Sequence, residues 1–157
     1  MIALPELNIR EVQTNDFETV WELHNRALEA TGAHAGNGEW DEDVRDPIAS
    51  YARSGGNFLV CELEGSIVAM GGYTVAEEGT VEIKRMRVDP NNQGMGVGWM
   101  LLRALESDAK ARGFSIAILE TTRQQTAAQE LYERNGYVRT HQSQLAQFEV
   151  LHYKKEL

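Results

Sequence analysis

One cysteine, Cys61, is the whole thiol inventory of this 157-residue chain. A disulfide framework and a multi-thiolate zinc site are excluded, and a reducing, cytoplasmic setting is the expectation. Positive charge is also scarce: fifteen lysines and arginines face twenty-four acidic residues, for a net charge of −9. That balance argues against the broad phosphate footprint of a nucleic-acid binder. Long apolar runs are missing too, since no window approaches the roughly 18 residues of a membrane span. Met1 to Asn8 carries neither a basic n-region nor an apolar stretch, so neither membrane nor secretory pathway is expected. The four histidines show no metal-ligand spacing, and no metal is expected. What is left is 42% hydrophobic and 25% charged, an ordinary globular composition. A chain this long suits one domain, residues 1–157, burying about two-thirds of its unfolded surface.

Leu7, Ile9 and Val12 suggest a short strand. Asn15 with Glu18 resembles a capping box opening a helix whose stripe is Phe17, Val20, Trp21, His24 and Leu28. Three glycines break the pattern between Thr31 and Trp40, which reads as a loop. Asp41 to Arg53 repeats helical spacing through Val44, Ile48 and Tyr51, with Pro47 expected to kink or break it. Phe58-Leu59-Val60-Cys61 and Ile67-Val68-Ala69-Met70 form a hairpin about Glu64-Gly65, followed by a strand from Thr80 to Asp89. Gly98, Leu101, Leu102, Leu105 and Ala109 mark a helix stopped by Gly113. A strand from Phe114 to Leu119 follows, then a helix from Gln125 to Arg134. Strands near Tyr137–Arg139 and Phe148–Tyr153, joined by a polar Gln-rich connection, close the chain. The order β-α-α-β-β-β-α-β-α-β-β predicts an α+β fold, a mixed and mostly antiparallel sheet of about seven strands flanked by about four helices.

Gln93-Gly94-Met95-Gly96-Val97-Gly98 joins a strand to a helix start, where successive backbone N–H groups can face one anion at the positive end of the helix dipole. A tight turn needing positive φ would use the same glycines. A dinucleotide fingerprint fails, because Trp99 stands where a small residue is required. A phosphate-binding Walker loop fails as well, since no Gly-Lys-Ser/Thr exists in the chain.

The pattern Gln93, Gly96 and Gly98 after Met86-Arg87-Val88-Asp89-Pro90, with Ala128-Gln129-Glu130-Leu131-Tyr132-Glu133-Arg134-Asn135-Gly136-Tyr137 further on, resembles the GNAT superfamily of acyl-CoA-dependent N-acyltransferases. The element order resembles that family along the whole chain, and the motif-level likeness runs from about Glu82 to Tyr137. The resemblance implies acetyl-CoA as co-substrate, with the loop of Gln93, Gly94, Met95, Gly96, Val97 and Gly98 on its pyrophosphate. The backbone of Met86, Arg87 and Val88 would pair with its pantetheine arm. Gln125 stands where many members carry asparagine before the tyrosine-bearing helix, and is placed with the cofactor contacts.

The reaction so implied moves an acetyl group to a primary amine of a small molecule or peptide. An amine of pKa near 10 is mostly ammonium at pH 7, a burden of about 4 kcal/mol, so a base is needed. Glu82, eleven residues before Gln93, is implied as that base, directly or through water; it could equally be a strand carboxylate paired with Lys84 on the same face. Tyr132 is implied as donor to the departing thiolate, or else is a core tyrosine beside Ala128 and Leu131. A backbone N–H near Met86 is implied as oxyanion donor. Glu120 is a reserve base. Lys84, Arg85 and Arg87 most simply balance nearby acid, although Arg87 could hold a phosphate. His24 reads as a satisfied core histidine, Cys61 as a structural thiol, and His34 with Glu39, Trp40 and Asp41 as loop residues near the acceptor side. A catalytically silent acyl-CoA-binding module and a protein N-terminal or lysine acetyltransferase are the alternatives, and the reading leaves room for a homodimer.

Overall fold

The computed structural model describes residues 7–157; most of the N-terminal stretch read above for targeting lies outside them. Its centre is a single seven-stranded sheet in the order β1-β2-β3-β4-β5-β7-β6. The strands are β1 (Leu7–Glu11), β2 (Asn57–Leu63), β3 (Ser66–Glu77), β4 (Thr80–Val88), β5 (Ile116–Thr122), β6 (Val138–Leu145) and β7 (Phe148–Glu156). All neighbours are antiparallel except β4 and β5, which run parallel and are therefore joined by a helical crossover. The helices are α1 (Phe17–Ala30), α2 (Glu42–Arg45), α3 (Pro47–Arg53), α4 (Val97–Ala111) and α5 (Thr126–Arg134). The α+β class and the mixed sheet agree with the sequence reading. The five helices arise because Pro47 splits the predicted second helix: Asp46 caps α3 through the Ala49 N–H at 3.1 Å, and Pro47 takes the first helical position, where its missing N–H costs nothing.

The apolar runs of β2 and β3 follow from burial on both faces. Phe58 and Val60 pack into one cluster with Val20, Leu23, Val44 and Tyr51 of α1–α3. Leu59 and Cys61 pack into another with Leu101, Leu102 and Leu105 of α4. Those three leucines are fully buried, each contributing about 2 kcal/mol of transfer free energy. Cys61 is fully buried as well, and burial pushes its thiol up to about 11.

Four local expectations are corrected. The chain enters α1 on Asp16 rather than on Asn15 and Glu18: its carboxylate accepts from the Gln13 N–H and from Arg10, both at 2.7 Å. Ile48 is exposed, because α3 begins a new helical phase after the break. The β5 strand starts at Ile116, later than Phe114, and runs on to Thr122. The Gln-rich connection is largely strand β6, exposed along its whole length at the sheet edge, so no apolar alternation betrays it.

The feature that shapes the site lies in β4. Its first half, Thr80 to Ile83, pairs with both β3 and β5; beyond Ile83 the contact with β5 stops. The ladder with β3 also shifts register between Met70 and Gly72, and Arg85 takes a left-handed φ of 60°. One extra residue is thereby absorbed as a bulge. Val81 and Ile83 face α4, as do Met86 and Val88 after the bulge. Glu82 and Arg87 consequently share the opposite face, the side of α1–α3.

Candidate active site

Where β4 and β5 part, a cleft of about 550 Å³ opens, walled by Met86, Arg87 and Val88, the glycine loop, α5, Ala27 of α1 and Thr31 just beyond its end. The loop turns into α4 through Gly94 and Gly96 at φ 80° and 83°, left-handed values that favour glycine. A Cβ at either position would meet nothing within 4 Å, so backbone handedness rather than crowding calls for glycine there. Gly98 differs: a Cβ would lie 3.3 Å from Leu131 and Val88 side-chain atoms, so its smallness lets α4 sit close to α5 and β4. Among the described residues, no backbone N–H from Gln93 to Trp99 donates to any acceptor of the chain. Seven amides beside a helix start make a cradle for an anion.

Of the expected cofactor contacts, Met86, Arg87, Val88, Gln93, Gly94, Gly96, Val97, Gly98 and Gln125 line this one cleft; Met95 points outward and is exposed. Gln125, just before α5, turns its side chain back to the end of β5, its Oε1 accepting from Thr121 Oγ1, Thr122 N and Thr122 Oγ1 at 3.0–3.2 Å. Tyr132, only 4% exposed, joins the cleft wall with its ring against Tyr137 and Tyr153. No atom of the chain bonds its hydroxyl among the described residues. Burial pushes that hydroxyl up to about 12, and the nearby Arg87 charge pulls against the rise.

Glu82 does not line the same cleft. It borders a second concavity of about 410 Å³ with Glu120, His141 and His152, where β4 is still paired with β5. Burial raises the Glu82 carboxyl above its ordinary value; Lys84 Nζ, 3.9 Å away, opposes the rise, and Glu120 adds to it. His152 links Glu120 at 3.3 Å to Ser143 at 2.8 Å.

The three cations of β4 behave differently from one another. Arg85 is bound to Asp43 at 2.8 Å and to the Trp40 carbonyl, so acid balance describes it well. Lys84 stands beside Glu82. Arg87 has no carboxylate partner among the described residues, which corrects the expectation that it balances acid. His24 is buried and bonds Asp41 through Nε2 at 2.9 Å, but among the described residues its Nδ1 has no partner, so it is only half satisfied. Burial and the Arg87 charge push it down to about 4, leaving it neutral. His34 is tied to Asn25 at 2.8 Å within the loop, and Trp40 stays exposed. Sequence reasoning missed the contribution of Ala27, whose only signal was its place on the first helix, and of Thr31, which reads as the start of the loop.

The model of the acetyltransferase (GNAT) family matches residues 17–137, and the chain belongs to that family. It is 34% identical over 91 residues to an IAA acetyltransferase of Azospirillum brasilense, a match covering 57% of this chain and 60% of that protein. The chain thus spans about 60% of the length of that relative. Among solved structures, an acetyltransferase of the GNAT family from Staphylococcus aureus superposes with a TM-score of 0.87 at 20% identity, covering 96% of this chain and 99% of that one. The PaiA N-acetyltransferase of Thermoplasma acidophilum, solved in complex with coenzyme A, gives 0.78 at 18% identity, covering 97% and 99%. Both share the fold.

Proposed function

We propose that this chain, folded as one domain, is an acetyl-CoA-dependent N-acetyltransferase that passes acetyl directly to a primary amine of a small molecule or peptide. The observation that carries the reading is the conjunction in one cleft of a strand edge without a partner, unused loop amides and the free Tyr132 hydroxyl. The loop amides suit a pyrophosphate, and the open edge of Met86 to Val88 suits the amide groups of a pantetheine arm laid alongside as an extra strand. Acetyl-CoA, when bound, supplies an activated thioester carbonyl.

The amine must first lose a proton. Glu82, its affinity for protons raised by burial, takes it directly or through water. The nitrogen then bonds to the acetyl carbon while the carbonyl oxygen leans on a backbone N–H near Met86; the nitrogen gives up its second proton to solvent, and the carbon–sulfur bond breaks. Tyr132 donates a hydrogen bond to the departing thiolate; with its own proton held up to about 12, stabilisation outweighs full proton transfer. No step calls on a metal.

Incubating the protein with acetyl-CoA and a panel of primary amines, with released thiol as readout, is expected to give turnover on at least one acceptor. Coenzyme A binding without transfer to any amine would make the chain an acyl-CoA-binding module instead.

A further inference from the structure

Three arginines are partly buried among the described residues. Arg10 and Arg85 meet carboxylates at 2.7 and 2.8 Å; Arg87 meets none. Its Nη1 donates to the Met86 carbonyl at 3.0 Å. Among the described residues its Nε, shielded from water, donates to nothing, and its Nη2 has no acceptor. Nε and Nη2 form the edge of the guanidinium whose two parallel N–H bonds match the two oxygens of a carboxylate.

The neighbouring acids are already engaged. Asp41 accepts from His24 and from Asn37 at 2.9 and 3.0 Å, and Asp43 accepts from Arg85 and Tyr51. His24, neutral, supplies no countercharge. Burial and the repulsion of Arg85 draw Arg87 down to about 10, which leaves it cationic at neutral pH. An uncompensated cation in a cleft wall destabilises the empty protein and favours an anion that arrives from outside.

The loop amides offer phosphates a place at the start of α4. Arg87 projects from the other face of β4, the face it shares with Glu82, the proposed base. We infer that the acceptor is an amine that also bears a carboxylate, seated on the Nε–Nη2 edge of Arg87 with its amino group turned toward Glu82. The inference rests on the acetyltransferase reading. A carboxylate at the end of a dicarboxylic acyl chain carries the same chemistry, and the test separates the two sources.

The test compares wild type, Arg87→Gln and Arg87→Lys on free L-amino acids, each matched with its primary amide, with acetyl-CoA and succinyl-CoA as donors. Wild type is expected to favour acid over amide by at least about tenfold in kcat/KM, a factor within reach of one charge-assisted pair. Arg87→Gln should bring the ratio close to one, and Arg87→Lys should hold it between the two. Without ligands, Arg87→Gln should melt about 2–6 °C higher than wild type, because an unpaired buried charge is gone. Equal use of acid and amide by wild type, an unchanged ratio in Arg87→Gln, or a lowered melting point overturns the inference. So does a preference for succinyl-CoA that Arg87→Gln abolishes, which assigns the carboxylate to the acyl chain. If no amine is acetylated, the enzymatic reading fails by itself. Calorimetric titration of the same amino acids and amides into coenzyme A–loaded protein then decides the Arg87 site, with acid-selective binding lost in Arg87→Gln as support and indifference as refutation.

Discussion

The two halves of β4 make an instructive contrast. From Thr80 to Ile83 the strand is paired on both sides, and its backbone groups are spent on the sheet. From Arg85 to Val88 one edge has lost its neighbour, a bulge has reset the side-chain alternation, and the strand runs into a loop of unused amides. The difference teaches that backbone hydrogen-bonding groups are left free at the place where the chain's own pairing stops. Side chains of the first half can act only by projecting from a closed ladder, as Glu82 does, whereas the second half offers the main chain itself.

The sharpest way to break this contrast is Gly96→Asp, in the second half's loop. A non-glycine residue at φ 83° costs about 1–2 kcal/mol, and a carboxylate among amides that await an anion adds repulsion. Coenzyme A affinity should fall about a hundredfold or more by calorimetry; unchanged binding would move the phosphate site elsewhere. Tyr132→Phe is the next largest. The ring keeps its packing against Tyr137 and Tyr153, so affinity for coenzyme A should hold while kcat falls about tenfold to a hundredfold. Undiminished turnover with chemistry rate-limiting would return Tyr132 to the core.

Glu82→Gln probes the closed half and should have the smallest effect. At pH 7 kcat/KM should drop about tenfold, with the deficit shrinking as pH approaches the pKa of the amine and free amine becomes abundant. Stability gives an independent sign. The folded Glu82 carboxyl is raised by burial, so it favours the fold below the ordinary carboxylate pKa, and that advantage is lost as pH rises through the raised value. Urea unfolding should therefore show Glu82→Gln gaining on wild type at pH 8 relative to pH 4, by less than about 1 kcal/mol. A rate profile of unchanged shape would hand proton removal to Glu120 or to water.

Much of the architecture could be read directly. Apolar runs, Pro47, Gly113 and the glycine loop each act through local physics, and Tyr132 announced its burial by sharing a stripe with Ala128 and Leu131. The failures are physical too. Period-two reasoning sets Arg87 on the face opposite Glu82 and Lys84, because nothing in Lys84-Arg85-Met86-Arg87 marks the bulge that reverses the alternation. Strand β6 stayed hidden because an exposed edge needs no hydrophobic face. The empty edge of Arg87 was out of reach for a different reason: which cation finds a carboxylate depends on α1 and α2 folding over β4, a contact made across more than forty residues in the case of Arg85 and Asp43.

The solitary thiol has a practical consequence for the measurements above that read released thiol. Cys61 sits in the middle of β2, fully buried, with its proton held up to about 11. Thiolate is the form that attacks disulfide reagents and electrophiles. The native protein should therefore be silent toward a chromogenic disulfide at neutral pH, and each equivalent of colour should report one molecule of coenzyme A set free. The same property makes the reagent a clock for unfolding, since the first signal from protein without substrate marks the opening of the sheet around Cys61.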